Sequence, residues 1–253
     1  MARTILITGA TSGIGKASAE AFAAYGDNLL LCGRRQDKLA HIKETLSDNY
    51  GISVTTFPLD VTDRTAVETM IPEMITSAGG IDVLINNAGL AQGLDPFQDS
   101  SLDDMETMIN TNIKGMLYVA RTVLPFMIQA NQGHIVNLGS TAGIYAYANG
   151  AVYCATKAAI KTISDGIRID TIDTNIKTTT IQPGIVETPF SEVRFHGDKE
   201  KAANVYAGIE ALQAQDIADT ILYVVNQPRR VQISDMVIMA NQQATGFMVS
   251  KHI

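Results

Sequence analysis

The chain has 253 residues, 46% of them hydrophobic and 18% charged, with a formal net charge of −7. This length and balance suit a globular protein with a substantial core and exclude a disordered chain, while the acidic surplus argues against a nucleic-acid partner. No stretch approaches the roughly 20 apolar residues of a membrane span and the N-terminus lacks a signal-peptide pattern, so a cytoplasmic protein with no membrane partner is expected.

Short β-branched or aliphatic runs alternate with longer amphipathic ones. Strands are expected over 4–8 (TILIT), 28–32 (NLLLC), 54–57 (VTTF), 82–86 (DVLIN), 134–139 (HIVNLG), 177–181 (KTTTI) and 236–239 (MVIM). Helices are expected near 14–25, 36–48, 63–77, 103–130, 152–173 and 215–226. This alternation joins parallel strands by crossover helices. It predicts an α/β fold, a Rossmann-type doubly wound parallel sheet of about seven strands with helices on both faces. No Pro/Ser-rich linker or internal repeat interrupts the chain, so residues 1–253 read as one dinucleotide-binding domain. Pro183 to Gly208 fits neither template. It follows the sixth strand at the carboxyl edge of the sheet, where ligands bind, and residues 185–208 read as a substrate lid in preference to an inert insertion.

The first strand runs into TGATSGIGKASAEAF, with Gly9, Gly13 and Gly15 spaced G-x-x-x-G-x-G. A lone glycine pattern often marks only a tight turn. Between a strand and a helix it lets a pyrophosphate approach the backbone at the helix N-terminus. The second strand ends in Gly33, Arg34 and Arg35, with no acid before Asp37. An acid there would bind a ribose 2′-hydroxyl, whereas two guanidiniums match a 2′-phosphate, so NADP (NADPH) is preferred over NAD. The alternative is a pair of solvated surface arginines.

Tyr153 and Lys157 stand one helical turn apart, thirteen residues and more past Ser140. An ammonium near a phenol, together with the positive nicotinamide ring of an oxidised cofactor, favours the phenolate and lowers its pKa, which suits a general acid and base. The pair alone is common on exposed helices. Its order after a dinucleotide loop makes it a candidate for catalysis.

Taken together, TGATSGIG (8–15), LD with Val61, NNAG (86–89), Asn112 in NTNIKG, Ser140 in GSTAG, YCATK (153–157) and PGIVET (183–188) resemble the short-chain dehydrogenases/reductases over essentially the whole chain. The segments NNAGLAQG, LPFM, GHIVNLGSTAG, VYCATKAAI and FSEVRFHGDKEKA resemble the NADP-dependent branch that oxidises short 3-hydroxy acids such as serine and allo-threonine. The resemblance implies cofactor contacts from Gly9, Thr11, Ser12, Gly13, Ile14, Gly15, Arg34, Arg35, Asp60, Val61, Asn87, Ala88, Gly89, Tyr153, Lys157, Pro183, Gly184, Val186 and Thr188. It implies catalysis by Asn112, Ser140, Tyr153 and Lys157. Tyr153 would donate or accept the proton, and Ser140 would bond the substrate oxygen. Lys157 would also bond the nicotinamide ribose, and Asn112 would hold a water linking Lys157 to solvent.

Arg194, between Val193 and Phe195 in the expected lid, can pair with a substrate carboxylate. Its alternative is a surface ion pair with Glu192 or Asp198. Tyr145 and Tyr147 read as pocket lining or as loop packing. Cys32 and Cys154 read as buried free thiols with no metal, in a reducing compartment. His41, His134, His196 and His252 read as surface or strand residues, and DKEK (198–201) as a solvated lid surface or a helix start. The long segments 103–130 and 152–173, with the resemblance, suggest a homotetramer. The leading expectation is an NADP-dependent oxidoreductase acting on a small hydroxy or oxo compound. A reductase of a larger ketone or aldehyde and a non-catalytic NADP-binding regulator are the alternatives.

Overall fold

The computed structural model describes residues 2–251, so His252 lies outside the described residues. The chain opens with β1 (Thr4–Thr8), α1 (Gly13–Ala24), β2 (Asn28–Gly33), α2 (Gln36–Tyr50), β3 (Val54–Pro58), α3 (Arg64–Ser77) and β4 (Val83–Asn86). Next come α4 (Leu102–Ile109), α5 (Met116–Ala130), β5 (Gly133–Leu138), α6 (Ala151–Asp170) and β6 (Ile176–Pro183). The last part holds β7 (Val186–Glu187), α7 (Phe190–Arg194), α8 (Lys199–Tyr206), β8 (Leu212–Gln213), α9 (Ala214–Val225) and β9 (Asp235–Ile238).

Seven strands form one sheet in the order β3-β2-β1-β4-β5-β6-β9, and every neighbouring pair is parallel. Side chains alternate across it. Ile5, Ile7, Leu29 and Leu31 pack with Phe22, Leu39 and Ile221 on one face. Leu6, Leu30 and Leu84 pack with Ile71, Val123 and Ile160 on the other. Burial on both faces explains why these strands read as continuous apolar runs. The strand order reverses between β1 and β4, and that switch point opens a crevice at the carboxyl ends of the strands. The glycine loop follows β1 and NNAG ends β4, so both motifs line that crevice.

The segment expected as one helix over 103–130 is two. A π-helical turn, Asn110–Gly115, separates α4 from α5. A side chain at Gly115 would stand 2.7 Å from Val61 Cγ2, so glycine is what lets α5 start close against the third strand's end. The wide turn buries Asn112 to 1% exposure. Strands β7 and β8 pair over two residues each, too short for any periodic signal. Cys32 and Cys154 are buried free thiols, and Asp198 caps α8, so DKEK is a helix start.

Candidate active site

The glycine loop is built for close approach. Gly9 and Gly13 hold positive φ of 66° and 52°, and a Cβ on Gly15 would run into the carbonyl oxygen of Gly9 and the amide of Asn87. Ser12 precedes α1 without a side-chain capping bond, and the helix has no acid in its first turn. Its first N–H groups therefore lack a side-chain partner, and the helix dipole favours an anion there. Thr8 and Asn87 tie the two loops together. Asn87 donates to the carbonyls of Thr8 (3.0 Å) and Gly9 (3.3 Å), and Thr8 Oγ1 accepts from the N–H groups of Asn87 and Ala88. Thr188 lies across the mouth, 3.4 Å from where a side chain on Gly13 would begin. Ile14 is half-buried and packs against the core under this loop.

Arg35 folds over the loop. Its Nη2 donates to Thr11 Oγ1 at 2.6 Å and to Ser12 Oγ at 2.8 Å. A Cβ on Gly33 would sit 2.9 Å from the Thr11 methyl, which explains the glycine beneath this contact. The Arg34 side chain is 69% exposed and reaches within 4.0 Å of Asp60, whose other oxygen accepts from Thr62. Val61 is buried against Gly115, so its side chain belongs to the core. Two guanidiniums thus flank the carboxyl ends of β2 and β3 beside an anion cradle. The cradle fits a dinucleotide pyrophosphate, and the arginines fit an added 2′-phosphate.

Tyr153 and Lys157 are both buried on α6. Lys157 Nζ donates to the Leu138 carbonyl at 2.8 Å and lies beside Gly89, 3.5 Å from where its Cβ would stand. Burial pushes this ammonium down to about 8. The Tyr153 phenol is pushed above its ordinary value, by burial first and then by Tyr147, while Ser140 and Arg194 pull it down. Without a nicotinamide charge beside it, the phenol stays raised. The ammonium points to a carbonyl, and desolvation wins. A protonated tyrosine is the form that donates in carbonyl reduction.

Ser140 Oγ accepts from the N–H of Ala142 at 3.1 Å and donates to the Pro183 carbonyl at 3.4 Å. The second bond is long, so the hydroxyl can exchange it for a substrate oxygen. Asn112 clamps Leu90, accepting from its N–H and donating to its carbonyl, each at 2.8 Å, and donates again to Thr156. Both amide hydrogens are committed, so a relay water there has only the second lone pair of Oδ1 or the backbone to bind. Gly184 donates to the Ile238 carbonyl, and Gln243 Oε1 accepts from Ile185 N–H, pinning Pro183–Ile185 from beneath. Val186 sits in the two-residue ladder that follows.

The region 185–208 folds back over the site. Phe190 packs on the Tyr153 ring at a centroid distance of 5.7 Å. Arg194 lies with its guanidinium carbon 5.5 Å from the Tyr153 ring centroid and 5.4 Å from that of Tyr147. It donates to Tyr147 Oη at 2.7 Å and to the Gly93 carbonyl at 3.3 Å. Among the described residues it makes no ion pair, so the surface alternative with Glu192 or Asp198 is not what forms. Gly93, Met108, Val152, Tyr153 and Arg194 line a cavity of about 50 Å³. His196 bonds Asp104 at 3.0 Å on its rim, His41 is exposed, and His134 is buried in β5 against Thr179. Sequence reasoning gave no role to Thr8, Gly93 or Gln243. Thr8 opens the TGATSGIG motif and Gly93 closes NNAGLAQG, whereas nothing local marks Gln243.

The description "short chain dehydrogenase" belongs to the family model that matches residues 3–199. The chain is 44% identical over 242 residues to the NADP-dependent 3-hydroxy acid dehydrogenase of Schizosaccharomyces pombe, covering 95% of this chain and 93% of that one. It is 44% identical over 241 residues to the NADP-dependent 3-hydroxy acid dehydrogenase YdfG of Salmonella typhi, covering 95% and 96%. Among solved structures, the closed form of a serine dehydrogenase complexed with NADP+ superposes with a TM-score of 0.91 at 40% identity, over 99% of this chain and 100% of that one.

Proposed function

This chain belongs to the short-chain dehydrogenase family and is an oxidoreductase, and from that premise we propose that it oxidises short 3-hydroxy acids, and reduces their semialdehydes, with NADP. The observation that carries the substrate class is Arg194, a guanidinium held over Tyr153 with no carboxylate partner among the described residues. The relatives' names support the same reading of cofactor and substrate.

NADP, when bound, supplies the hydride carrier; Arg34 and Arg35 would hold its 2′-phosphate and the loop Gly9–Gly15 its pyrophosphate. Tyr153 accepts the proton of the substrate hydroxyl in oxidation and returns it to the oxygen in reduction. Ser140 donates to that oxygen and stabilises its developing charge. Lys157, beside Gly89, would hold the ribose and places a positive charge near the phenol. Asn112 keeps Leu90 and Thr156 in register behind that lysine. Arg194 fixes the acid end of the substrate, with 185–208 acting as a lid on a single dinucleotide-binding domain.

We further read the protein as a cytoplasmic homotetramer. Among the described residues no helix is long and apolar enough to cross a membrane, and the free thiols suit a reducing compartment. Leu117 and Ile128 on α5 and Ile169 on α6 are exposed apolar residues on helices that a second copy could cover. The substrate reading is tested by Arg194→Ala against a matched pair, 3-hydroxybutanoate and its neutral methyl ester. A raised KM for the acid alone supports it, and an equal effect on both contradicts it.

A further inference from the structure

Resting on that carboxylate reading, we propose that Tyr147 is a positioning residue that sets substrate choice, because its neutral hydroxyl aims the Arg194 guanidinium at the acid end of the substrate. The guanidinium sits between two tyrosine rings, at 5.4 and 5.5 Å from their centroids. Of its two hydrogen bonds, the one to Tyr147 Oη at 2.7 Å is short, and the one to the Gly93 carbonyl at 3.3 Å is long. Tyr147 therefore fixes the direction of the fork, while Nη1 of Arg194 has no protein partner among the described residues.

The chemistry of that partner matters. Two carboxylates stand close by, with Oδ2 of Asp104 and Oδ2 of Asp95 at 3.3 and 3.5 Å from where a Cβ on Gly93 would begin. Arg194 touches the Gly93 backbone and pairs with neither. Asp104 instead bonds His196. A carboxylate partner would neutralise the guanidinium and close the site to anions, whereas a phenol satisfies one N–H and leaves the positive charge uncompensated. Burial keeps the Tyr147 phenol above its ordinary pKa, which holds it neutral.

Tyr147 is itself held in place. It opens a turn in which Gly150 N–H donates to its carbonyl at 3.2 Å and Asn149 adopts a positive φ of 65°. A side chain on Gly150 would collide with the Tyr147 ring, 2.6 Å from Cζ. The turn leads directly into α6, so Tyr147 and the Tyr153 phenol share one frame, and the Tyr147 hydrogen bond ties Arg194 of α7 to it. A floppy loop could not aim a charge in this way.

The test uses Tyr147→Phe, which keeps the ring and its packing on Gly150, alongside Arg194→Ala and the double variant. Each is assayed with 3-hydroxybutanoate and with its methyl ester. Losing a hydrogen bond to a charged group should raise KM for the acid roughly tenfold, with kcat within about threefold and the ester's KM unmoved. The double variant should be no worse than Arg194→Ala alone, since both remove one device. If Tyr147→Phe moves acid and ester alike, or leaves the acid's KM unchanged while Arg194→Ala stays selective, the role given to Tyr147 is wrong. If Arg194→Ala itself affects both substrates equally, the carboxylate reading fails first and the proposal falls with it.

Discussion

Lys157 Nζ lies 5.9 Å from the centroid of the Tyr153 ring and spends a hydrogen bond on the Leu138 carbonyl, not on the phenol. The two titrating groups of the site are thus buried together without neutralising one another. Each is held away from its charged form by desolvation, upward for the phenol and down to about 8 for the ammonium. Geometry suited to catalysis here opposes stability.

That opposition has a measurable sign. The unfolded chain binds the Lys157 proton more tightly than the folded one, so between about 8 and 10.5 stability rises with pH. Below that window the cost is fully present, on the order of 3 kcal/mol before the Leu138 bond is set against it. Lys157→Met should abolish turnover while leaving the cofactor-free protein as stable as wild type or more so at pH 7. Its advantage should vanish near the upper end of the window. Thermal melts of both proteins at pH 7 and above 10 check this, and a clearly lower Tm for the variant at pH 7 would refute the burial argument.

Cofactor choice should follow the arginines. Arg35 is already bonded to Thr11 and Ser12, so a 2′-phosphate meets one positioned guanidinium and one exposed one, Arg34. Replacing both by Gln should weaken NADP binding by roughly 10²-fold or more and change NAD binding little, at about 1.5–3 kcal/mol for each charge-assisted contact. Arg35 alone should account for the larger share. Titration of both cofactors by fluorescence reads the difference, and equal losses for the two would remove the arginines from 2′-phosphate recognition.

Assembly is tested by light scattering at micromolar concentration. A homotetramer gives about four times the chain mass of 27.2 kDa. Charging the exposed apolar residues Leu117 and Ile128 on α5 to Glu should shift that mass downward without unfolding the chain. A wild-type mass of one chain refutes the assembly outright.

Much of this was legible in the sequence because the physics is local. Strands such as β2 are apolar over 29–32 since both faces are buried, and glycines at 9, 13 and 15 answer to positive φ or close contact. The π turn at Asn110–Gly115 was not legible, because the close approach of Gly115 to Val61 that accompanies it is a tertiary contact. The raised Tyr153 pKa of the cofactor-free protein was not legible for a related reason. Helical spacing places Lys157 near the phenol, but only the fold shows how dry the site is and that the ammonium turns to Leu138. Tyr147 stayed ambiguous between lining and packing until Arg194, 47 residues away, was seen to bond it.

The central claim is most directly tested by the initial rate of NADPH formation from a short 3-hydroxy acid, measured for the wild type and for Tyr153→Phe. The account predicts turnover by the wild type with NADP+ well above that with NAD+. It predicts a fall of roughly 10²–10⁴-fold in kcat for the variant, with NADP+ affinity held within about threefold, because the phenol acts on the substrate oxygen. A Tyr153→Phe enzyme turning over within a few-fold of wild type, or a wild type inert toward every short 3-hydroxy acid and semialdehyde offered, would contradict it.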